Sequence, residues 1–262
     1  MKRTLIEKLP SDIPTELLTL MRNAYVYDSS CSPEARVYFI DKGCGYYLKR
    51  AQKGALEREV TLARYYHSIG LGVEVCSYLS DDRYDWMLTQ SAAGEDCTHD
   101  RYLGDPKRLS AMLGETLRAL HETSYDTCPV IDRTAEYIRT VEQNYVTGNY
   151  DKTAFPDSFG FSDAESAYRL FSQGREKLKS DVLLHGDFCL PNIILDDWRL
   201  SSFIDLGCGG VGDRHIDLFW GSWTLWFNLK TDRYAARFFD AYGRDKIDAE
   251  TLRIISAAEV FG

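Results

Sequence analysis

Three oxygen-bearing side chains fall in one short stretch whose spacing matters. Residues 185–195 read His-Gly-Asp-Phe-Cys-Leu-Pro-Asn-Ile-Ile-Leu, and residues 202–207 read Ser-Phe-Ile-Asp-Leu-Gly. Asp187 and Asn192 sit on a loop that enters an apolar strand. Asp-Asp-Trp-Arg at 196–199 has turn chemistry, and residues 200–206 return as a second strand. A hairpin brings its outer ends together. Asn192 and Asp205 are therefore expected near each other at the open end, with Asp187 just beyond. Carboxylates and an amide are hard oxygen donors. They suit Mg²⁺, which takes one or two carboxylates and completes its shell with water and phosphate oxygens. Asp187 is left to address a hydroxyl on a substrate.

The elements that must position these groups divide the chain. Residues 24–27 and 36–41 are strand-like and flank Asp28-Ser29-Ser30-Cys31-Ser32-Pro33, a polar loop. Tyr46 to Arg50 and Trp86 to Thr89 are further β-rich runs. Residues 55–69 read as a helix stopped by Gly70. At 100° per residue, Leu56, Glu59, Val60, Ala63 and Tyr66 share one arc, while Glu57 faces away. Glu59 thus lies on the apolar side, where a carboxylate needs a cation or hydrogen bonds. After Gly94 the pattern is helical at 107–121, 132–145 and 163–178. One hairpin at 182–206 interrupts it, and helices resume at 216–229, 232–242 and 249–260. An α+β fold of two lobes with a cleft is expected: a β-rich N-lobe, 1–93, and a mostly α-helical C-lobe, 94–262, hinged at Thr89 to Gly94.

Composition narrows the partners. The chain has 262 residues, 31 basic and 40 acidic, for a formal net charge of −9. That balance argues against nucleic acid, whose phosphates need Lys and Arg, and suits a cationic partner. Seven scattered cysteines with no C-x-x-C pair fit a reducing compartment better than a disulfide framework. The first 14 residues lack the apolar core of a signal peptide, and no apolar run is long enough to span a bilayer. A cytoplasmic protein with no membrane association is expected. The first loop carries no G-x-G-x-x-G, and G-x-x-x-x-G-K-[ST] is found nowhere. A P-loop or Rossmann enzyme is therefore disfavoured.

His-Gly-Asp-x-x-x-x-Asn followed by Ile-Asp resembles the catalytic and metal-binding loops of protein-kinase-like folds. The run from Phe203 to Gly207, continuing through Gly209, Val211-Gly212-Asp213-Arg214 and Asp217-Leu218, is similar to the aminoglycoside 3′-phosphotransferases. The likeness spans nearly the whole chain. Ser32-Pro33 with Val37-Tyr38 resembles that family's nucleotide-positioning loop, and Tyr47-Leu48-Lys49 its ATP-lysine strand. Leu56-Glu57-Arg58-Glu59 resembles the start of its Glu-bearing helix, and Leu117-Arg118-x-Leu120-His121 a C-lobe helix. The resemblance implies a protein-kinase-like two-lobe fold and a kinase that moves the γ-phosphate of ATP to an aminoglycoside hydroxyl, the 3′ position foremost. It implies that Lys49 holds the α- and β-phosphates, that Glu59 orients Lys49, and that Ser32 reaches a phosphate. Backbone groups near Gln90 and Ala92 would read the adenine edge. Asn192 and Asp205 would hold Mg²⁺, and Asp187 would orient the attacking hydroxyl.

Aminoglycosides are polycations, so their kinases need carboxylates on the acceptor side. The chain offers Asp151, Asp157, Asp163 and Glu165 in a loop-rich insert, and Glu259 near the C-terminus; Asp157 and Glu259 are the expected substrate contacts. Two departures bear on acceptor range. Cys208 stands where the family usually has Arg, and Gly262 lies one residue past the family's usual terminal Phe. The other notable side chains read as structural. His185 braces its loop, His121 packs or caps, Asp217 hydrogen-bonds the catalytic loop, Cys189 and Cys208 are not nucleophiles, and Trp220, Trp223 and Trp226 are core. The alternatives are a kinase of another hydroxylated small molecule (an amino alcohol, sugar or other antibiotic) and a non-catalytic nucleotide-binding module.

Overall fold

A computed structural model describes residues 3–150 and 160–262. In chain order the elements are β1 (Thr4–Leu5), α1 (Thr15–Met21), β2 (Tyr25–Asp28), β3 (Ala35–Asp41), β4 (Tyr46–Gln52), α2 (Glu57–Ser68), β5 (Val75–Ser80), β6 (Tyr84–Gln90) and β7 (Glu95–Asp96). Next come α3 (Asp100–Leu103), α4 (Pro106–His121), α5 (Arg133–Thr147), α6 (Ala164–Gly174), β8 (Val182–Leu184), β9 (Ile193–Asp196) and β10 (Arg199–Phe203). β11 (Gly210–Gly212), α7 (Arg214–Leu229), α8 (Ala235–Tyr242) and α9 (Ala249–Ala258) complete the described chain. Contacts divide it into two compact units: Met1–His99 with Pro191–Gly207, and Asp100–Leu190 with Cys208–Gly262. The sequence boundary at 93/94 left the 191–207 hairpin with the later residues; the contacts place that hairpin with the earlier ones.

The first unit is built on a six-stranded antiparallel sheet in the order β1-β2-β3-β4-β6-β5. Alternation along the strands sorts its two faces. Tyr38, Ile40, Leu48, Trp86 and Leu88 pack with Ile13, Leu17 and Met21, the last two from α1. Ala51 and Met87, of opposite parity, pack with Leu56 and Val60 at the start of α2. Lys49 shares the parity of Ala51 and is registered against Met87, so strand geometry sends it to the α2 face. Helix α1 and strand β5 escaped the sequence reading; seven residues with no side-chain cap carry too few turns for a helical period to show.

The expected hairpin at 182–206 is shorter in the structure. β9 and β10 pair through a two-residue turn in which Asp197 and Trp198 have φ of 47° and 67°, as a type I′ turn requires. β7 pairs with the other edge of β9. Residues 182–184 instead form β8, which pairs with β11 in the second unit.

The second unit is mostly helical. Tyr137 and Val141 of α5, Ala167 and Phe171 of α6, Ile216 and Phe219 of α7, and Ile254 and Ile255 of α9 share a core with Val182 and Leu184 of β8. Asp105, Asp132, Asp163, Asp213 and Asp248 each cap a helix by accepting a backbone N–H of its first turn. α4 packs against α8 at Gly114, where a Cβ would lie 2.4 Å from the Phe238 carbonyl oxygen. Gly114→Val is expected to force the helices apart, cost about 1–3 kcal/mol, and lower the thermal unfolding midpoint by several degrees, read by circular dichroism.

Candidate active site

In the first unit, Lys49 ends between two carboxylates. Its Nζ donates to Glu59 Oε1 and Oε2 at 2.9 and 2.7 Å and to Asp205 Oδ1 at 2.7 Å. β4 delivers Lys49, the buried arc of α2 delivers Glu59, and the turn two residues past β10 delivers Asp205. Burial pushes the Lys49 ammonium down, but Glu59 and Asp205 more than reverse this and hold it above the ordinary lysine value. Glu59 is raised, first by burial and also by the negative charge of Asp205, while Lys49 opposes the rise. The ammonium and the two carboxylates leave the cluster with a net negative charge, which favours an added cation.

Asp205 has φ of 59°, a left-handed conformation that Asp tolerates better than most residues. Its side chain is 52% exposed. Asn192 is buried, and its carbonyl accepts the Ile204 N–H at 3.0 Å. The two strand ends that carry Asn192 and Asp205 are therefore joined by a backbone bond, as hairpin closure predicts. Arg58 Nε donates to the Gly207 carbonyl at 2.9 Å and secures the turn after Asp205; its place beside the inward Glu59 was the only sequence signal for that role. Among the described residues no three His, Cys, Asp or Glu side chains form a metal-holding group. One carboxylate and one amide oxygen still match a Mg²⁺ ion whose remaining ligands are phosphate and water.

Ser32 lies exposed in the β2–β3 loop. That loop is shaped by Ser30 N–H donating to Asp28 Oδ1 and by Val37 N–H donating to Ser30 Oγ, each at 2.9 Å. Gln90 ends β6; its side-chain amide donates to Cys44 Sγ at 3.0 Å and its N–H to the Glu74 carbonyl. Ala92 follows, its carbonyl accepting from Ser91 Oγ at 3.3 Å.

In the second unit, Asp187 is half-buried on the loop after β8. Asp217 holds that loop: Oδ2 accepts the His185 N–H at 2.8 Å and Oδ1 the Gly186 N–H at 2.7 Å. Gly186 has φ of 83°, and a Cβ there would lie 1.9 Å from the Cys208 carbonyl oxygen, so only glycine fits. Asp217 is itself held by His121 Nε2 at 3.2 Å, while His121 Nδ1 meets Tyr242 Oη at 2.8 Å. Burial lowers the His121 pKa, against the pull of Asp217. A carboxylate only accepts, so Nε2 carries the hydrogen and Nδ1 accepts from the tyrosine.

Cys189 donates its N–H to the Asp187 carbonyl at 2.7 Å, and burial first, then the Asp187 charge, push its thiol far up. Thr224 Oγ1 in turn accepts the Leu190 N–H at 3.1 Å. Nothing in the spacing singled out Thr224, a hydroxyl in a helix rich in tryptophan. Glu259 is buried, and Tyr137 Oη donates to its Oε1 at 2.8 Å. Burial raises its pKa to about 7, with Tyr137 and Arg133 opposing and Asp187 adding to the rise. Asp157 lies outside the described residues, as does Asp151.

The fold is that of the protein-kinase-like phosphotransferases, and the comparisons with known proteins agree. The model of the phosphotransferase enzyme family matches residues 33–254. A Lactococcus lactis protein named "Probable aminoglycoside 3'-phosphotransferase" is 48% identical over 257 residues, 98% of this chain and 96% of that one. The aminoglycoside 3'-phosphotransferase of Streptomyces fradiae is 26% identical over 91% of each chain. The crystal structure of a type VIII aminoglycoside-3'-phosphotransferase superposes with a TM-score of 0.73 at 22% identity, covering 89% of this chain and 92% of that one. A Streptomyces rimosus aminoglycoside phosphotransferase, solved with ADP and streptomycin, gives 0.70 at 22% identity over 95% and 98%. The chain belongs to the phosphotransferase enzyme family, in its aminoglycoside 3'-phosphotransferase group of small-molecule kinases.

The buried acid Glu259 generates a pH prediction. Its folded pKa of about 7 exceeds the ordinary glutamate value of 4.5, so the folded state binds the extra proton and stability falls as pH rises from the lower value through the higher. Glu259→Gln is expected to flatten that part of the profile, measured by urea unfolding at a series of pH values.

Proposed function

We propose that this chain transfers the γ-phosphate of ATP to a hydroxyl of an aminoglycoside, the 3′ position foremost. The observation that carries the reading is the Lys49 ammonium clasped by Glu59 and Asp205, with Asn192 tied to the Asp205 strand end. The names of the relatives support the acceptor. Residues 1–93 act as the nucleotide-binding lobe, joined by the 191–207 hairpin, and the rest of 94–262 as the catalytic and substrate-binding lobe. A location in the cytoplasm, where ATP is abundant, and a role in antibiotic resistance accord with this reading.

Phosphoryl transfer passes through a loose transition state, so alignment and charge neutralisation supply most of the rate. Glu59 fixes the Lys49 ammonium, which offers donors to the α- and β-phosphates. The Ser32 hydroxyl addresses a phosphate, and backbone groups at Gln90 and Ala92 take the adenine edge. Asn192 and Asp205 would hold Mg²⁺, which supplies charge neutralisation for the phosphate oxygens when bound. Asp187 accepts a hydrogen bond from the acceptor hydroxyl and directs its lone pair toward the γ-phosphorus. The Asp217 clamp keeps that carboxylate in place. Asp157 and Glu259 contribute negative charge toward the acceptor's ammonium groups.

Asp187→Ala is expected to lower transfer by about a hundredfold or more while the thermal shift caused by Mg·ATP persists. Retained turnover would reject the assigned role. Lys49→Ala is expected to raise the KM for ATP and lower kcat, because the phosphates lose their fixed cation. Coupled ADP release reports both variants, and mass spectrometry of kanamycin and of an analogue lacking the 3′-hydroxyl tests acceptor and position. Phosphorylation of an uncharged sugar or an amino alcohol in place of these would replace the acceptor assignment.

A further inference from the structure

Helix α7 carries an aromatic face that the mechanism leaves unused. At 100° per residue, Trp220, Trp223, Thr224, Phe227 and Asn228 fall within an arc of about 140°. The inner part of this arc is anchored around Asp187. Thr224 accepts the Leu190 N–H, and Cys189, the residue before Leu190, donates its N–H to the Asp187 carbonyl at 2.7 Å. The outer part reaches solvent at Phe227, which is 46% exposed. Trp223 and Phe227 are stacked, with ring centroids 4.9 Å apart and planes within 11°, and Trp220 meets Trp223 edge-on at 5.3 Å. The Trp223 indole Nε1 is buried with no hydrogen-bond partner.

We propose that the stacked Trp223–Phe227 pair is a specificity-determining platform on which an ammonium-bearing sugar ring of the acceptor rests, in competition with Lys230. The inference builds on the aminoglycoside reading above. An alkylammonium group already sits on the platform: Lys230 Nζ lies 4.2 Å from the Phe227 ring centroid, inside the range in which a ring quadrupole attracts a cation. An aminoglycoside presents the same chemistry several times, on rings whose C–H faces also pack against aromatic surfaces. The platform shares its helix face with Thr224, so a ring seated there belongs to the substrate whose hydroxyl Asp187 addresses. Lys230 lies just past the helix end with φ of 55°, so its side chain can leave the ring without disturbing a helical turn.

The test measures acceptor and ATP kinetics for Phe227→Ala, Phe227→Tyr, Lys230→Asn and the Ala/Asn double variant, with kanamycin as acceptor. Asn tolerates the left-handed backbone at 230 and removes the charge. Phe227→Ala is expected to raise the acceptor KM about three- to tenfold, with kcat and the KM for ATP nearly unchanged; Phe227→Tyr restores the wild-type value. Lys230→Asn is expected to lower the acceptor KM, and that gain disappears in the Phe227→Ala background. An unchanged acceptor KM in Phe227→Ala overturns the platform, as does a Lys230→Asn gain that survives without the ring, which would be charge repulsion alone. If the wild type phosphorylates kanamycin and these shifts are absent, this inference falls and the proposed function stands. If the wild type phosphorylates no aminoglycoside, the acceptor reading falls and the platform with it.

Discussion

A buried ammonium cannot stay charged without carboxylates beside it, and the first unit is arranged around that constraint. Lys49 and Glu59 are both withdrawn from water, with side chains 19% and 8% exposed. Removing either from such a pair leaves a charge uncompensated, at about 3–5 kcal/mol. The sheet parity that turns Lys49 toward α2, the apolar arc that turns Glu59 inward, and the turn that carries Asp205 are therefore mutually dependent. Neither Lys49 nor Glu59 has a low-energy position without the other, and Asp205, reaching in from a more exposed turn, completes the clasp. The pair also leaves one ammonium pre-oriented, which phosphoryl transfer needs more than it needs bond-making groups.

The second unit uses the opposite device, a neutral network closing on one carboxylate. Asp217 satisfies two successive backbone N–H groups of the loop before Asp187, and His121 and Tyr242 satisfy Asp217. Three of the four links are buried and the one to Gly186 is partly so, so these hydrogen bonds compete little with water, and an unmade link would be costly. The loop can then take the tight glycine conformation at 186 that a side chain would forbid. Rigidity reaches Asp187 through groups that never touch a substrate.

Much of this was legible from residue order. The strand alternation around Lys49, the inward arc carrying Glu59, and the proximity of Asn192 and Asp205 at a hairpin mouth follow from periods of 2 and 3.6 and from turn chemistry. Less legible were α1, too short to show a period, and β8, whose apolar run is indistinguishable from one arm of the neighbouring hairpin until its partner β11 is known. Thr224 and Tyr137 were silent for a similar reason. A hydroxyl within a helix gains meaning only from the group it meets, and those partners are the Leu190 N–H and Glu259.

Residue order by itself determined which side chains are chemically able to act and which face of each element they occupy, because these depend on local geometry repeated along the chain. Tertiary structure alone decided how each group is held. That Lys49 is shared by two carboxylates from sequence positions far apart, that burial raises Glu259, and that Lys230 rests on Phe227 all depend on distances across elements. Desolvation and electrostatic interaction act through space, and no local pattern encodes them.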